Sequence, residues 1–449
     1  MPTDESTNGA ASRDGTTRRR ALQYLSGGTL AASLGVAGCV QEADDGGDGG
    51  GDDGGDDGDS SDADGSGDDG TSTDGGSTIG TVTVGVLVPE SGPSAPLGQA
   101  QRQGAERGVA FVNDSDAFDF EIEPVYEDTQ TDPPTGRQQA EKVVEEDGAQ
   151  FVVGALESSV GLAVADFASG GDLVYMSGAA AVEITGEDCN ASTFRYESNA
   201  AQHMAGLTGF AARELGTKWW LHSTDEAYGQ SAFEQIERRI DAQGLDVEVV
   251  GRTMPDFGTE NYGPQISQIS NSEAEVLAIP ETGADLINFM KQAESAGLKD
   301  EVEIIGTALF AQVSRAALGA TAVGTYSSVL YNHQLETGDN QQFVDAYAGE
   351  YDAPPGNFAR VGYELVRSAA RGIQAAGTSD PGEVGSALED LQMTTVLGET
   401  SYRACDHQAV NPVWTGRIAE ANEGTAVELI EKVEGPDTVR PCEETGCSL

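Results

Sequence analysis

Short apolar runs alternate with helix-spaced apolar positions along the chain from residue 81 onward. Runs of four to eight β-branched and apolar residues predict buried strands, whereas apolar residues three or four positions apart predict helices that face a core. In this part of the chain the alternation repeats about every 25 to 30 residues. The strand-like runs are 81–88, 120–126, 151–153 and 173–176, and the helix-like segments are 97–112, 137–146 and 160–168. This order predicts βαβ units and a parallel sheet.

The same rhythm restarts after Tyr196 and predicts a second sheet. Its strand-like runs are 219–222, 247–250, 276–279 and 302–305, separated by helix-like segments at 232–240, 262–269 and 286–293. Three later helical segments, 341–351, 358–375 and 381–391, would cover one of the sheets. The last has a clear start signal, with Asp380 as cap and Pro381 at the first position. The runs 413–418 and 426–433 predict a hairpin or meander.

Residues 149–185 carry the clearest candidate binding chemistry. Two strand-like runs in this segment end in small residues, where a backbone can approach a ligand. Between them, Ser158 and Ser159 precede a helical pattern, so Ser158 is predicted to be an N-cap. A helix N-terminus has unpaired N–H groups and a partial positive charge, and two hydroxyls there suit a small carboxylate. The alternative is that Ser158 only caps its own helix.

Charge limits the possible partners. The chain of 449 residues has 76 acidic and 24 basic residues and a net charge of -52. The first 78 residues hold 17 of the acidic and 4 of the basic residues, which leaves -39 on the rest. This excess argues against nucleic acid and anionic lipid headgroups as partners. Such acidity is typical of proteins that work in multimolar salt, where the repulsion between surface charges is screened beyond a Debye length of about 3 Å. The alternative is that the acidic surface binds a specific basic partner.

Residues 1–38 are predicted to be an export signal that takes no part in the fold. Three arginines from Arg18 onward resemble a twin-arginine motif, and the weakly apolar run at 24–37 is too short to span a bilayer. The sequence Val-Ala-Gly before Cys39 then resembles a lipobox. We expect a mature chain that begins at a lipidated Cys39 and is anchored at the extracellular face of the cell membrane. A leader retained as a disordered tail is the alternative.

Residues 39–78 consist almost wholly of Asp, Gly and Ser, so they cannot form a core. We predict a disordered, acidic tether for this segment. Residues 49–54 match the dinucleotide-binding pattern G-x-G-x-x-G, but the sequence predicts neither a strand before them nor a helix after them. The match is therefore interpreted as chance, and we expect no cofactor.

The globular part resembles a known family. The resemblance lies in GVLVPESGPSAPLGQAQRQGAERGVAFVN (85–113), VVGALESSVGLAVA (152–165), ITGEDCNASTFR (184–195), STDEAYGQSAFEQIE (223–237) and ADLINFMKQAESAGL (284–298). Their order and spacing are similar to those of the leucine/isoleucine/valine-binding family of solute-binding proteins, which have the type I periplasmic-binding fold. The resemblance implies capture of a small polar solute, which could be an amino acid, an amide or a small carboxylate. It also implies delivery of that solute to the permease and ATPase subunits of an ABC importer.

The fold class implied by the resemblance is α/β, with two doubly wound lobes that enclose the ligand between them. Three hinge crossings would join the lobes, and periplasmic binding proteins are known for closing about such hinges. The crossings would fall near 197–199, 329–332 and 397–399. The first lobe would comprise residues 79–198 and 332–397, and the second lobe residues 199–331 and 398–449.

The resemblance also implies eight ligand-binding positions. Ser158 would take a ligand carboxylate, and Tyr228 and Thr282 would face it from the second lobe. For Tyr228, a partly packed surface aromatic is the alternative. The full set is Leu97, Ser158, Ser159, Ala179, Ala181, Tyr228, Thr282 and Ala308.

Two of these positions depart from the amino-acid-binding pattern of the family. Ala181 stands where those relatives have Thr, and Ala308 stands where they have the Glu that pairs with the ligand ammonium. An unpaired ammonium in a closed cleft would be costly. Either another acid such as Glu281 replaces the missing one, or the ligand is not an α-amino acid. Amides, urea-like molecules and aromatic or short-chain acids then become candidates.

Enzymatic function finds little support in the sequence. The chain has no G-x-S-x-G, no H-E-x-x-H and no Gly-rich phosphate loop with Lys. Its four His, at positions 203, 222, 333 and 407, are scattered, and we interpret each as structural or exposed. We therefore predict neither catalysis nor a metal site. A ligand-sensing receptor component that works with a separate signalling partner is the alternative to transport, and an enzyme on the same α/β plan is a more distant one.

Four cysteines remain if Cys39 is lipidated, an even number that predicts disulfides in an exported chain. Four thiols allow three pairings. We favour Cys189 with Cys447 and Cys405 with Cys442. The reason is that a link between the last two cysteines would close only a tiny loop, while longer closures remove more entropy from the unfolded chain.

Overall fold

The first sheet forms where the apolar pattern predicts it, because most of its strands are followed by a helix that returns the chain for the next parallel strand. The structure is a computed structural model that describes residues 79–389 and 391–449. The elements of its first part are β1 (Gly80–Val88), α1 (Ala95–Asn113), β2 (Phe120–Asp128), α2 (Pro133–Glu145), β3 (Phe151–Gly154), α3 (Ser158–Ala168), β4 (Val174–Ser177) and β5 (Thr193–Arg195). The five strands are parallel in the order β2-β1-β3-β4-β5.

The second part of the chain forms the other large sheet. Its elements are α4 (Ala200–Ala205), α5 (Thr208–Glu214), β6 (Lys218–His222), α6 (Ala227–Gln243), β7 (Glu248–Thr253), α7 (Gly263–Ser270), β8 (Val276–Ile279), α8 (Gly283–Ser295), β9 (Glu303–Gly306), α9 (Gln312–Leu318), β10 (Tyr326–Val329), α10 (Asn340–Tyr351), α11 (Asn357–Ala376), α12 (Pro381–Leu388), β11 (Met393–Thr395), β12 (Gly398–Thr400), β13 (Val413–Glu420), β14 (Thr425–Val433) and α13 (Gly435–Thr438).

This second sheet has the order β14-β13-β10-β9-β8-β6-β7. Strands β6 to β10 are parallel, and the predicted C-terminal hairpin is confirmed, since β13 and β14 pair in antiparallel fashion. Trp219 and Trp220 are adjacent on β6, so their side chains point to opposite faces, and both are buried in the core. Both large sheets thus have the α/β character that the pattern predicts.

Helices α1 and α11 cover the first sheet and pack closely because glycines remove side chains from their contact. A Cβ on Gly104 would lie 1.8 Å from the carbonyl oxygen of Ala359, and one on Gly362 would lie 1.9 Å from that of Gln101. Helix α11 also contacts β3 and β4, and α12 packs against α11. The late helices therefore return to the sheet formed by the start of the domain.

Two predicted helix starts have different outcomes. The prediction that Ser158 is an N-cap is wrong, because α3 begins at Ser158 and its N-cap residue is Glu157. Ser158 Oγ instead accepts the backbone N–H of Ala181 at 3.0 Å. The start of α12 is confirmed, since the side chain of Asp380 accepts the backbone N–H of Glu383 at 2.9 Å.

A buried glutamine, Gln408, holds the segment that leaves the first sheet after β5. Gln408 Oε1 accepts from Arg195 Nε at 2.7 Å, and Gln408 Nε2 donates to the carbonyl oxygen of Glu197 at 2.9 Å. Nearby, Asn411 Nδ2 donates to the carbonyl oxygen of Tyr196 at 2.6 Å. These bonds fix the position of the segment that leads from β5 to the second sheet. The division into two lobes with hinges stays a prediction.

Both predicted disulfides are present. Cys189 is bonded to Cys447 with Cα atoms 5.5 Å apart, and Cys405 is bonded to Cys442 with Cα atoms 6.0 Å apart. They attach the C-terminal segment after β14 to the loop before β5 and to the loop before β13. The predicted export signal, tether and lipidated Cys39 lie outside the described residues. None of the helices within the described ranges is both long and apolar enough to span a membrane.

Removing each disulfide should reveal its contribution to stability. The sequence separations are 258 residues for the first pair and 37 for the second. Replacing Cys189 and Cys447 by Ser should lower the free energy of unfolding by about 3 to 5 kcal/mol, and replacing Cys405 and Cys442 should lower it by less. Denaturant titration of both double variants beside the parent protein measures the difference. A larger loss from the shorter loop would contradict the loop-entropy explanation.

Candidate functional site

A cavity of about 60 Å³ lies at the loops that follow the parallel strands of both sheets. Since one ordered water needs roughly 10–15 Å³ by this measure, the cavity has room for a small molecule. Loops after β3 and β4 contribute Leu156, Glu157, Ser158, Gly178 and Ala180. Loops after β6, β8, β9 and β10 contribute Thr224, Glu226, Pro280, Glu281, Thr282, Thr307, Ala308, Phe310 and Leu330. The carboxyl ends of parallel strands are the usual place for ligands in α/β sheets.

The N-terminus of α3 is occupied by a carboxylate that comes from the other sheet. Glu226 Oε1 accepts hydrogen bonds from the backbone N–H of Ser159 at 2.7 Å and from its hydroxyl at 2.8 Å. Glu226 Oε2 accepts the backbone N–H of Tyr228 at 2.7 Å, so the same side chain caps α6. Helix N-termini favour anions because of their unpaired N–H groups and partial positive charge. Of the two serines predicted to hold a ligand carboxylate, Ser159 is therefore already bound to the chain's own Glu226.

A buried arginine holds the loop after β4 from behind. Arg195 Nη1 donates to the carbonyl oxygens of Ala179 and Ala181, the first at 3.4 Å. Both alanines are fully buried, whereas Ala180 between them lines the cavity. The backbone of Ala181 is also tied to Ser158 Oγ, as described above. These contacts fix which residue of the loop faces the cavity.

A row of buried polar groups forms part of the cavity wall. Tyr228 Oη lies 2.8 Å from His203 Nδ1, and His203 Nε2 lies 3.9 Å from Glu197 Oε1. Glu197 Oε2 in turn lies 2.7 Å from Nη2 of the buried Arg360. Burial lowers the pKa of His203 to about 3, and Arg360 and Arg195 add to that effect. The imidazole is therefore neutral at physiological pH, while Glu197 has a cationic partner.

Two further carboxyl groups line the cavity without partners. Glu157 is 8% exposed and Glu281 is 1% exposed, and none of their carboxyl oxygens has a hydrogen-bond partner among the described residues, although the Ser94 hydroxyl lies near Glu157. Burial raises the pKa of Glu157 to about 7, and the charge of Glu226 adds to the rise. Burial raises the pKa of Glu281 well above its usual range, and Asp285 adds to it. A ligand that donates hydrogen bonds would stabilise the ionised form of either carboxyl group.

The remaining lining is largely apolar and aromatic. It includes Leu156, Phe257, Phe310, Leu330 and Phe358. Such surfaces hold the carbon skeleton of a small ligand while a few polar groups set its orientation. Within the described ranges, no three His, Cys, Asp or Glu residues are grouped so that they could hold a metal ion. The arrangement is suited to reversible binding of a small, partly apolar molecule.

The structure brings together half of the predicted site positions. The positions that line the cavity are Ser158, Tyr228, Thr282 and Ala308. The positions that do not line it are Leu97, Ser159, Ala179 and Ala181. Leu97 is buried, the Ser159 hydroxyl bonds to Glu226, and the two alanines are buried with their backbone carbonyl oxygens bonded to Arg195.

Most of the acidic lining is absent from the sequence-based predictions. Of the four glutamates at the cavity only Glu281 was expected there, and His203, predicted to be structural or exposed, also lines the cavity. A signal was available for two of the others, because Glu157 and Glu226 each stand directly before a predicted or observed helix that follows a strand. Counting carboxylates in the loops after predicted strands would have found them.

Two mostly parallel α/β sheets with a small-molecule cavity at the ends of their strands define a solute-binding fold. The family model of the periplasmic binding proteins matches residues 81–424 of this chain. The chain therefore belongs to the periplasmic binding protein family, and the predicted α/β fold class is confirmed. Proteins of this kind are solute-binding proteins and not enzymes.

Two curated relatives illustrate the similarity. The Leu/Ile/Val-binding protein homolog 4 of Brucella melitensis is 23% identical over 381 residues, which cover 80% of this chain and 90% of that protein. The leucine-, isoleucine-, valine-, threonine-, and alanine-binding protein of Pseudomonas aeruginosa is 25% identical over 320 residues, which cover 70% and 83%. The resemblance to the leucine/isoleucine/valine-binding proteins is thereby confirmed.

Solved structures show the same fold. An amino acid ABC transporter substrate-binding protein from Pseudomonas fluorescens Pf-5 has a TM-score of 0.73 and 22% identity, covering 82% of this chain and 99% of that one. An ABC transporter solute-binding protein from Rhodopseudomonas palustris HaA2, in complex with p-hydroxybenzoic acid, also has a TM-score of 0.73 and 22% identity. It covers 80% of this chain and 98% of that one. At this identity the likeness concerns the fold and not the ligand.

Replacing Glu157 by Gln should stabilise the ligand-free protein in a pH-dependent way. The folded-state pKa of about 7 exceeds the ordinary value of 4.5, so the parent protein loses stability as the pH rises between these values. Gln removes this loss, and the variant should match the parent near about pH 4 and exceed it by up to about 3 kcal/mol near pH 8.

Denaturant titration at several pH values measures this difference. The matched control is Glu301→Gln, which removes the same charge from an exposed position. A gain for Glu157→Gln that is equal at every pH, or no gain near pH 8, would show that the carboxyl group is not held in an unfavourable environment.

Proposed function

We propose that the protein captures a small polar solute in the cavity between the two sheets and delivers it to the permease and ATPase subunits of an ABC importer. The observation that carries the proposal is the cavity, since loops from the strand ends of both sheets enclose it and polar groups from both converge on it. The curated relatives named for amino-acid binding support a solute-binding role, and a similar structure described as an ABC transporter substrate-binding protein supports delivery to an importer.

The proposal includes two lobes that close on the solute. The first comprises residues 79–198 and 332–397, and the second comprises residues 199–331 and 398–449. The side chains proposed to contact the solute are Ser158, Tyr228, Thr282, Ala308 and Glu281. Their common position at the cavity supports this assignment. The first solutes to test are branched-chain amino acids, which the names of relatives contain, and p-hydroxybenzoic acid, which is bound in a similar structure.

We also propose that Cys39 carries a lipid anchor and that residues 39–78 tether the binding domain to the membrane. The support is the order of sequence signals, in which three arginines precede a short apolar run and the sequence Val-Ala-Gly-Cys. An acidic tether without apolar residues would remain extended and solvated. The binding domain could then reach a membrane-embedded importer while the anchor keeps it at the extracellular face.

Thermal melts against amino acids, amides, urea, amines and carboxylates should identify a solute class that stabilises the protein. At a hundredfold excess over its dissociation constant, a solute that binds only the folded state adds about 2.7 kcal/mol. Replacing Ser158 by Ala should weaken the binding free energy of that solute by about 1 to 3 kcal/mol if the hydroxyl contacts it. The control is Ser169→Ala at the exposed far end of the same helix, which should leave the affinity unchanged.

Two results would count against this assignment. Equal affinities for the Ser158 and Ser169 variants would mean that the Ser158 hydroxyl only supports the loop at Ala181. A complete lack of stabilisation by every solute class would contradict the proposed binding function.

The anchor is tested by mass spectrometry of protein extracted from cell membranes. The expected N-terminal peptide starts at Cys39 and carries an added lipid, and the Cys39→Ala variant should be released from the membrane fraction. A chain that keeps residues 1–38 and fractionates away from membranes would contradict the proposed anchor.

A further inference from the structure

We infer that the solute bound between the two sheets is a small organic cation without a carboxylate group, such as an amine. This inference rests on the proposed function and names the substrate class of the same cavity. It follows from the occupant of the anion site, from the charges that line the cavity and from its aromatic walls.

Glu226 already uses the donors of Ser159, one of the two serines at the start of α3 that were expected to hold a ligand carboxylate. It accepts two hydrogen bonds from Ser159, at 2.7 and 2.8 Å, and one from the backbone of Tyr228 at 2.7 Å. A ligand carboxylate could use these donors only by displacing Glu226. The displaced side chain would then stand beside the ligand as a like charge, which disfavours the anion.

The ionisable side chains of the cavity lining are predominantly carboxyl groups. Four carboxyl groups line it, and among the described residues no Lys or Arg does. Arg360 lies behind the wall and pairs with Glu197 at 2.7 Å, so it is not available to an anionic ligand. His203 is in the wall but neutral, because burial lowers its pKa to about 3. A cation favours the ionised form of such carboxyl groups, whereas an anion disfavours it, so the lining suits a cation better than an anion.

Glu157 and Glu281 supply independent evidence, because they are buried and unpartnered. None of their four carboxyl oxygens meets hydrogen-bond geometry with a partner within the described part of the chain, although the Ser94 hydroxyl lies near Glu157, and both residues line the cavity. His222 Nε2 lies 3.5 Å from Glu281 Oε1, but burial lowers the pKa of His222 to about 3, so it brings no positive charge. Buried polar groups are normally satisfied, and an ammonium group would supply both the donors and the charge.

The rest of the lining favours an organic cation over a metal ion. Four of the lining residues are aromatic, namely Phe257, Phe310, Phe358 and Tyr228. Aromatic faces attract ammonium groups and pack against the alkyl carbons attached to them. Hard metal ions prefer several oxygen ligands and retained water, which apolar walls do not provide. An alkyl ammonium matches both parts of the lining.

The test is isothermal titration calorimetry on the full purified chain, unfolded and refolded beforehand to remove any co-purified solute. The cationic probes are trimethylamine, 1,4-diaminobutane and guanidinium, the neutral probe is acetamide, and the probes with a carboxylate are benzoate and leucine. All titrations use one salt concentration and about pH 8. At least one cation should bind about tenfold more tightly than each of the other probes.

Substitutions assign the binding to the two unpartnered carboxyl groups. Glu281→Gln should weaken binding of the cation about tenfold or more. Glu157→Gln, which changes the opposite wall of the cavity, should also weaken binding of the cation. The control Glu301→Gln, at an exposed position, should change the affinity less than about twofold. Thermal unfolding confirms that each variant is folded, and either carboxyl variant alone suffices for the test.

Cation binding should also release protons, because a cation favours the ionised form of a carboxyl group. The ionisable groups that face the two carboxyls are Glu226, His222, Tyr262 and Asp285. None of them brings a positive charge to the pair at physiological pH. The affinity should therefore rise between about pH 6 and pH 8, approaching tenfold per pH unit for each proton released. Titrations in two buffers of different ionisation enthalpy count the protons.

Three results would overturn the inference. Tight binding of benzoate or leucine without binding of any cation would do so while upholding the proposed function. Cation binding that is insensitive to both carboxyl substitutions would place the cation elsewhere. No heat from any probe, together with no stabilisation in the broader melts, would contradict both the inference and the proposed function.

Discussion

A single carboxylate connects the two halves of this protein at its binding cavity. Glu226 accepts hydrogen bonds from the start of α3 on one side and from the start of α6 on the other. Hydrogen bonds to a charged group contribute about 1.5–3 kcal/mol each, so this contact is a strong local constraint. A neighbouring bond from the backbone of Val182 to Ser231 Oγ, at 3.0 Å, joins the same two regions. The shape of the cavity depends on where these contacts place the two helix ends.

The acidity of the surface and the acidity of the cavity have different consequences. Exposed charges are screened within a few ångströms in concentrated salt, whereas buried charges are screened much less. A second carboxylate about 4 Å from Glu226 would cost on the order of 4 kcal/mol at an effective dielectric constant near 20. We therefore infer the ligand class from the few buried carboxyl groups at the cavity and not from the charge of the chain as a whole.

Local patterns predicted most of the fold, because strands, helices and the Asp380 cap depend on residues close in sequence. The resemblance to a family placed Ser158 and Tyr228 at the cavity. The N-cap prediction failed because the partner of the Ser158 hydroxyl is the backbone of Ala181, which lies 23 positions away in the chain. The role of Glu226 could not be predicted for the same reason. Periodicity locates a helix start but does not reveal which side chain from another element will bind there.

A crystal structure of the protein with its bound solute would show directly whether the cavity holds an organic cation. We expect a solute in the cavity with a nitrogen within hydrogen-bonding distance of the Glu281 carboxylate. Glu226 should remain bonded to Ser159. A solute carboxylate at the start of α3 with Glu226 displaced, or a solute bound outside the cavity, would show that the cavity does not select a cation.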